Sequence, residues 1–195
     1  MVLGMDPATY ELRFDSGRSC LDLVATTHPV DRLDSVDRLR AWLAGAGLIP
    51  DRTALPGATP AWLVAFRELR GSVRQLVLAE LEGRPADTAL AQVNALAAPA
   101  PPAPHAVRTP EGRLVRTLRG DPGCAALLAA VARDAVELLT DPAARALLRQ
   151  CEGDNCPIVY LDTSRGRRRR WCSSEVCGNR ERVARHRRRA ALARA

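Results

Sequence analysis

Lysine is absent from this 195-residue chain, and all 29 basic residues are arginine. That substitution follows from high-GC coding as readily as from chemistry, so arginine abundance alone excludes nothing. Aromatic residues are scarce, with three Trp, two Tyr and two Phe. A core must therefore come mainly from Leu, Val and Ala, which favours helices. No apolar run is long enough to span a bilayer: the longest uncharged stretch, Thr88 to Val107, holds Gln92, Asn94 and four prolines. Residues 1–15 carry acids at positions 6, 11 and 15 and lack the apolar segment of a secretory signal. The expected compartment is the cytoplasm, with no membrane partner. Thiols stay reduced there, so the six Cys read as metal ligands or packing residues before disulfides. Also missing are a G-x-S-x-G elbow, a P-loop and a Gly-rich dinucleotide signature, and only His28 and His105 lie outside the C-terminal segment. An enzyme is not expected.

What the chain does have is a globular composition, 47% hydrophobic and 26% charged, in a length suited to one domain with a small appendage. Its net charge of +7 is unevenly placed: residues 151–195 hold twelve Arg and five acids, whereas residues 1–150 hold seventeen of each. A basic tail on a neutral body points to a polyanionic partner, nucleic acid first. The expected division is 1–150 as a helical body and 151–195 as a basic module.

Along the body, Tyr10 to Asp15 alternates like a short strand, followed by a turn at Ser16-Gly17 and an apolar run, Cys20 to Val24, that fits strand or helix. Val36, Leu39, Trp42 and Leu43 share one helical face behind the cap candidates Asp34 and Ser35. Thr59-Pro60 opens a helix carrying Trp62, Phe66, Leu69, Val73, Leu76 and Val77, stopped at Gly83. Asp87 to Ala98 predicts a shorter helix before a Pro-rich linker at 99–104. Residues 105–120 predict a β-hairpin about Glu111-Gly112. Asp121-Pro122 and Asp141-Pro142 each place a cap residue before an N1 proline, predicting helices over 122–139 and 142–150. The fold class is mainly α, with small β-hairpins.

The strongest motif is Cys151-x4-Cys156, fifteen residues, then Cys172-x4-Cys177. Two thiolate pairs around a basic connector match a tetrahedral Zn²⁺ with four sulfur ligands, and a closed shell of four leaves no position for activated water. One structural zinc is expected, supplying most of the folding free energy of a segment poor in apolar residues. His186, nine residues beyond Cys177, reads as a solvent- or phosphate-facing residue and not as a ligand. Cys20 and Cys124, alone in apolar runs, read as packing residues.

These residues resemble a known family. Cys156-x3-Tyr160-x-Asp162-x-Ser164-Arg165, then Arg169-Arg170-Trp171-Cys172-Ser173, then Cys177-Gly178-Asn179-Arg180 look like the CGNR zinc finger over roughly 151–190. Phe14-x2-Gly17-x2-Cys20-Leu21-Asp22-Leu23-Val24, with Leu39-x2-Trp42-Leu43, resembles the ABATE domain that precedes this finger in bacteria. The chain departs from that pattern at Ala25, where the family has Asn before Thr. The resemblance implies a stress-associated bacterial transcriptional regulator.

In such a finger a β-hairpin precedes a helix anchored by Cys177 and capped by Ser173 or Ser174. Val176, Arg180, Val183, Arg187 and Ala190 fall on one side, expected to pack; Asn179, Arg182, His186 and Arg189 fall on another, with Arg185 nearby. That second side suits a major groove, where Asn pairs with adenine and Arg with guanine. It reads equally as a solvated charged face, and Asn179 and Arg180 read alternatively as structural residues near the metal. Arg165, Arg167, Arg168, Arg169 and Arg170 sit on a connector expected to turn at Gly166 and touch phosphates. Trp171 reads as the finger's own small core. Zinc with four thiolates lowers the segment's charge to about +5, leaving some Arg to donate toward sulfur. The expected function is zinc-dependent DNA binding in transcriptional regulation, with a body that senses a small-molecule signal or forms a homodimer. An RNA-binding or ribosome-associated module is the alternative. Oxidation of the thiolates with loss of zinc is a further reading that the spacing leaves open.

Overall fold

The computed structural model describes residues 11–51 and 53–192. Among the described residues, seven helices and two antiparallel hairpins make a mainly α fold with small β elements. Helix α1 (Ser19–Ala25) settles the ambiguous run: Cys20, Leu21 and Leu23 are fully buried, so it is a core helix wrapped on nearly every side. Its first turn is capped from outside. Asp134 accepts hydrogen bonds from the Cys20 N–H at 2.8 Å and the Ser19 hydroxyl at 3.0 Å, and pairs with Arg18 at 2.7 Å. Tyr10 lies outside the described residues, and 11–15 form an irregular segment in place of the expected strand.

Helix α2 (Val36–Gly45) starts at Ser35, whose hydroxyl accepts from the Arg38 N–H, and buries Leu39, Trp42 and Leu43. Helix α3 (Pro60–Leu81) has Pro at N1 and buries Phe66, Leu69, Val73, Leu76 and Val77. It stops at Gly83, left-handed at φ 63°, where the Arg84 N–H reaches back to the Ala79 carbonyl at 2.8 Å, a Schellman closure. Phe66 meets Trp42 edge-to-face with ring centroids 6.1 Å apart. Helix α4 (Asp87–Ala97) precedes the expected hairpin, β1 (Pro104–Arg108) against β2 (Leu114–Leu118), with Gly112 at φ 82° in its turn. Helix α5 (Cys124–Thr140) packs on α1, α3 and α4 at the centre of the body.

Two expected helices need correction. Gly123, and not Asp121, is the N-cap of α5, so the Asp-Pro signal there marks the lead-in to the helix. Helix α6 (Pro142–Arg145) is capped by Asp141, which accepts from the Ala143 N–H at 2.8 Å, but it lasts four residues. Leu148–Gln150 is strand β3, paired with β4 (Val159–Leu161) in the register Leu148↔Leu161 and Gln150↔Val159. Tertiary pairing outweighs helix propensity there because the extended path buries Leu148 in the main core.

That hairpin also moves the division of the chain. Leu148, Val159 and Leu161 belong to the main core, while Ile158 and Tyr160 join the four finger cysteines and Ala25 in a second, smaller core. A boundary after residue 150 would cut between paired strands, so the finger shares its first hairpin with the body.

Candidate metal centre and basic face

Hairpin β3–β4 carries the first ligand pair in its loop. Cys151 follows β3, its N–H bonding the Ile158 carbonyl at 2.9 Å, and the Cys156 N–H closes on the Gly153 carbonyl at 3.0 Å. Asn155 takes the left-handed conformation at φ 57°, which Asn tolerates better than most residues. Gly153 is demanded by space: a Cβ there would lie 3.2 Å from the Cys177 Cβ and 3.4 Å from the sulfurs of Cys151 and Cys177. The second pair comes from Cys172, at the end of the basic connector, and Cys177, the first residue of α7 (Cys177–Leu192).

The four Sγ atoms all lie within 4.8 Å of one another and all four residues are buried. Measured edges are 3.8 Å for Cys156–Cys172 and 3.6 Å for Cys172–Cys177. A tetrahedron with Zn–S of about 2.3 Å has S–S edges of about 3.8 Å, so the cluster fits one structural zinc ion. The backbone N–H groups of Cys172 and Gly153 donate to the Cys151 sulfur at 3.2 and 3.4 Å, the outer-shell bonds a thiolate ligand needs. Hydrogen bonds from Cys156, Cys172 and Cys177 push the Cys151 thiol well below its usual range. Cys156 and Cys172 are pushed far above theirs, both chiefly by Cys151. Four sulfurs this close cannot all ionise unaided, and a divalent cation supplies the missing charge.

Around the cluster the connector is held from inside. Asp162, fully buried, accepts from the Ser164 N–H at 3.0 Å, the Ser164 hydroxyl at 2.5 Å and the Arg169 N–H at 3.0 Å, tying both ends of the loop. These bonds, the Ser164 hydroxyl first, hold its carboxyl below the usual carboxylate range. The Tyr160 hydroxyl donates to the Arg169 carbonyl at 2.5 Å, and the Arg169 guanidinium lies 4.4 Å from the Tyr160 ring centre. The same guanidinium donates to the carbonyls of Trp171 at 2.9 Å, Asp15 at 3.3 Å and Cys172. Arg13 donates to the Cys172 carbonyl at 3.1 Å, and the Leu161 N–H bonds the Ser16 carbonyl at 2.9 Å. The segment before α1 thus straps the finger to the body.

The arginines of the connector separate into two kinds. Arg165, Arg167 and Arg168 are exposed and make no side-chain hydrogen bond or ion pair among the described residues. Arg169 is engaged internally, and Arg170 pairs with Glu152 at 2.6 Å while lying 5.2 Å over Trp171. The connector is an irregular loop turning at 164–167, with the left-handed residue at Arg167 (φ 48°) and not at Gly166. Trp171 is half-buried against the cysteine core.

Leading into α7, the Ser173 hydroxyl accepts from the N–H groups of Glu175 and Val176, both at 3.2 Å. The expected packing side of α7 holds at Val176, which packs against the cysteine core, and needs correction beyond it; the side chain of Ala190 lies outside what is described. Val183 is 44% exposed, and Arg180 and Arg187 are exposed; within 179–189 only Glu181 and Ala184 are half-buried. At 100° per residue these two lie opposite Asn179, Arg182, Val183, His186 and Arg189, all exposed. Arg182 reaches the Ser174 carbonyl at 3.3 Å and Arg188 pairs with Glu181 at 2.8 Å. Arg185 and His186 are exposed, and His186 is no part of the sulfur cluster.

Of the remaining cysteines, Cys20 is fully buried in α1 and Cys124 is half-buried. Sequence reasoning missed Arg13, Asp15, Ser16 and Ala25 as neighbours of the metal centre, because only tertiary folding brings them there. Among the described residues no helix is long and apolar enough to cross a membrane.

A family model described as "Putative stress-induced transcription regulator" (ABATE) matches residues 17–142, and the model of the CGNR zinc finger matches residues 147–190. No curated protein matches the chain.

Proposed function

Because the chain belongs to the ABATE family and continues into a CGNR zinc finger, we propose that it is a cytoplasmic DNA-binding transcription regulator and not an enzyme. The observation that carries this reading is α7. One end is fixed by Cys177 in the sulfur cluster, and from its first turn onward it projects Asn179, Arg182, His186 and Arg189, with Val183 among them, on the side away from Glu181 and Ala184, the half-buried residues within 179–189. A helix held at its N-terminal end and bare along a polar, cationic face is suited to a major groove, where Asn and Arg read adenine and guanine at ~1–3 kcal/mol each. Arg165, Arg167 and Arg168 are free to meet phosphates beside it. Arg169 is assigned to holding the connector, and Arg170 divides its charge with Glu152.

The zinc would organise this surface without taking part in chemistry, since its four ligands leave no open position. A short finger reads few base pairs, so in this reading the body supplies dimerisation, a second contact or an effector site. The test presents zinc-loaded protein at physiological salt with sheared genomic DNA and structured RNA as competitor, and sequences what is retained. The reading expects an enriched DNA motif that Asn179→Ala or Arg182→Gln relaxes. Retention of RNA, or of DNA without any motif, would overturn it in favour of binding by charge and shape.

A further inference from the structure

Within residues 1–150, equal numbers of Arg and acids conceal an uneven surface. The ribbon 104–119 holds Arg108, Arg113, Arg116 and Arg119 against Glu111 alone, which leaves thirteen Arg and sixteen acids in the rest of that stretch. The body is therefore mildly acidic and carries one basic projection.

The ribbon has no evident duty in the core. Every residue of β1 is exposed, as are Leu114, Val115 and Arg116 of β2 and all four arginines. It is rooted at its base, where Leu118 packs against the main core and the Arg119 N–H bonds the Ala103 carbonyl at 3.0 Å. Two arginines are steadied by the backbone: Arg108 donates to the Gly112 carbonyl at 2.6 Å and Arg116 to the Gly47 carbonyl at 2.7 Å. Each uses one of five guanidinium donors there, leaving the others for an external acceptor. Next to the turn, Leu114, 66% exposed, shares a face with Arg108 and Arg116, while Val107 and Val115 pair on the other face, and the turn itself carries Glu111 and Arg113. Five-residue strands at about 3.4 Å per residue reach about 17 Å, and a two-stranded ribbon is narrow enough to enter a DNA groove.

We propose that the β1–β2 ribbon is a second duplex-DNA contact, gripping phosphates through Arg108, Arg113, Arg116 and Arg119. This rests on the DNA-binding reading of the finger and adds to it. Four exposed arginines on a projecting ribbon complement the phosphates of the partner already proposed for the finger; an acidic protein or a second copy of the chain is an outcome of the test.

The experiment uses the full zinc-loaded chain and a mixed-sequence 30-base-pair duplex, with affinity measured by fluorescence anisotropy across a salt series. In the triple variant Arg108→Gln, Arg113→Gln, Arg119→Gln, the slope of log K against log salt should shrink by about 2 to 3, at ~0.9 per lost phosphate contact, with affinity at low salt falling tenfold or more. The control Arg74→Gln, Arg84→Gln, Arg145→Gln removes the same charge elsewhere on the body and should move the slope by less than one contact. Circular dichroism and zinc content should match the parent in both. Equal slopes for the two variants overturn the proposal while leaving the finger reading intact. So does a ribbon variant that only dissociates a protein dimer, or one that changes RNA binding alone. Absence of duplex binding by the parent overturns both readings together.

Discussion

The run Arg167-Arg168-Arg169-Arg170 is uniform in sequence and divided in structure, and substituting it one residue at a time exposes the division. Arg169→Ala removes a guanidinium stacked 4.4 Å from the Tyr160 ring centre, together with its donations to the carbonyls of Trp171, Asp15 and Cys172. A cation–π contact contributes ~0.5–2 kcal/mol and a hydrogen bond from a charged donor ~1.5–3 kcal/mol. Partial rehydration of the abandoned carbonyls offsets some of this, so the expected cost is roughly 2–4 kcal/mol, a drop in Tm of roughly 5–15 °C for a chain this size. Arg169→Lys should restore little, because an ammonium cannot fork across several carbonyls while covering a ring. Arg168→Ala is expected to change stability by less than ~0.5 kcal/mol and to lower the salt slope of DNA binding by about 0.9. Thermal unfolding of the zinc-loaded proteins and a salt titration well below Tm measure both quantities. Equal Tm values for the two variants would refute the internal role of Arg169.

Other perturbations test the metal centre and the buried acid. Cys172→Ser should abolish stoichiometric zinc, forfeiting most of the ~10–16 kcal/mol that structural zinc contributes in comparable peptides. Circular dichroism should then lose the signal of the 16-residue α7 while the body helices persist; retained zinc would contradict the four-sulfur site. Gly153→Ala pushes a methyl to 3.2 Å from the Cys177 Cβ, and a chelator competition should show zinc held about 10–100-fold less tightly. Asp22, 6% exposed, has its pKa pushed up from 3.8 to about 6 by burial, partly offset by the Ser16 N–H at 2.9 Å. A carboxyl whose folded pKa is raised stabilises the fold when protonated: the contribution is full below about pH 4 and lost as pH rises through 6, on the order of 3 kcal/mol. Asp22→Asn keeps an oxygen acceptor and should flatten stability across that window, leaving the variant the more stable protein at pH 8; an unchanged pH profile in urea titrations would count against the buried charge.

Much of the site was legible because its signals are local. Four cysteines in paired spacing name their own chemistry, and the structure brings those four sulfurs together. Helices α2 and α3 were readable for the same reason: the Ser35 cap, the N1 proline Pro60, the apolar spacing and the stopping Gly83 each lie within a turn of what they control. Asp141-Pro142 worked as a helix start and failed as a measure of length. The pattern after it still suits a helix, and only the partner strand at Val159–Leu161 redirects it. The packed side of α7 was misread for a related reason. Val183 marks the apolar side of an isolated helix, but it is 44% exposed, and the half-buried residues are Ala184 and Glu181, the latter paired with Arg188 about two turns on in the same helix.

The joint between body and finger is built from paired strands and a shared second core. Strand β4 alternates Val159, Tyr160 and Leu161, as a strand between two layers must. Its outer members enter the main core, and Tyr160 enters the cysteine core. Ala25, the last residue of α1, lies in that second core. A small residue there lets the end of a buried helix lie against a sulfur cluster, and the chain just before that helix bonds the connector and Cys172 through Asp15 and Arg13, and strand β4 through Ser16. The metal thus holds more than the finger: its ligands, the end of α1 and the strap before α1 are packed as one unit. Since packed interiors transmit displacement instead of absorbing it, a shift of α1 within the body would be carried to Cys172, and from there to the turn that aims α7.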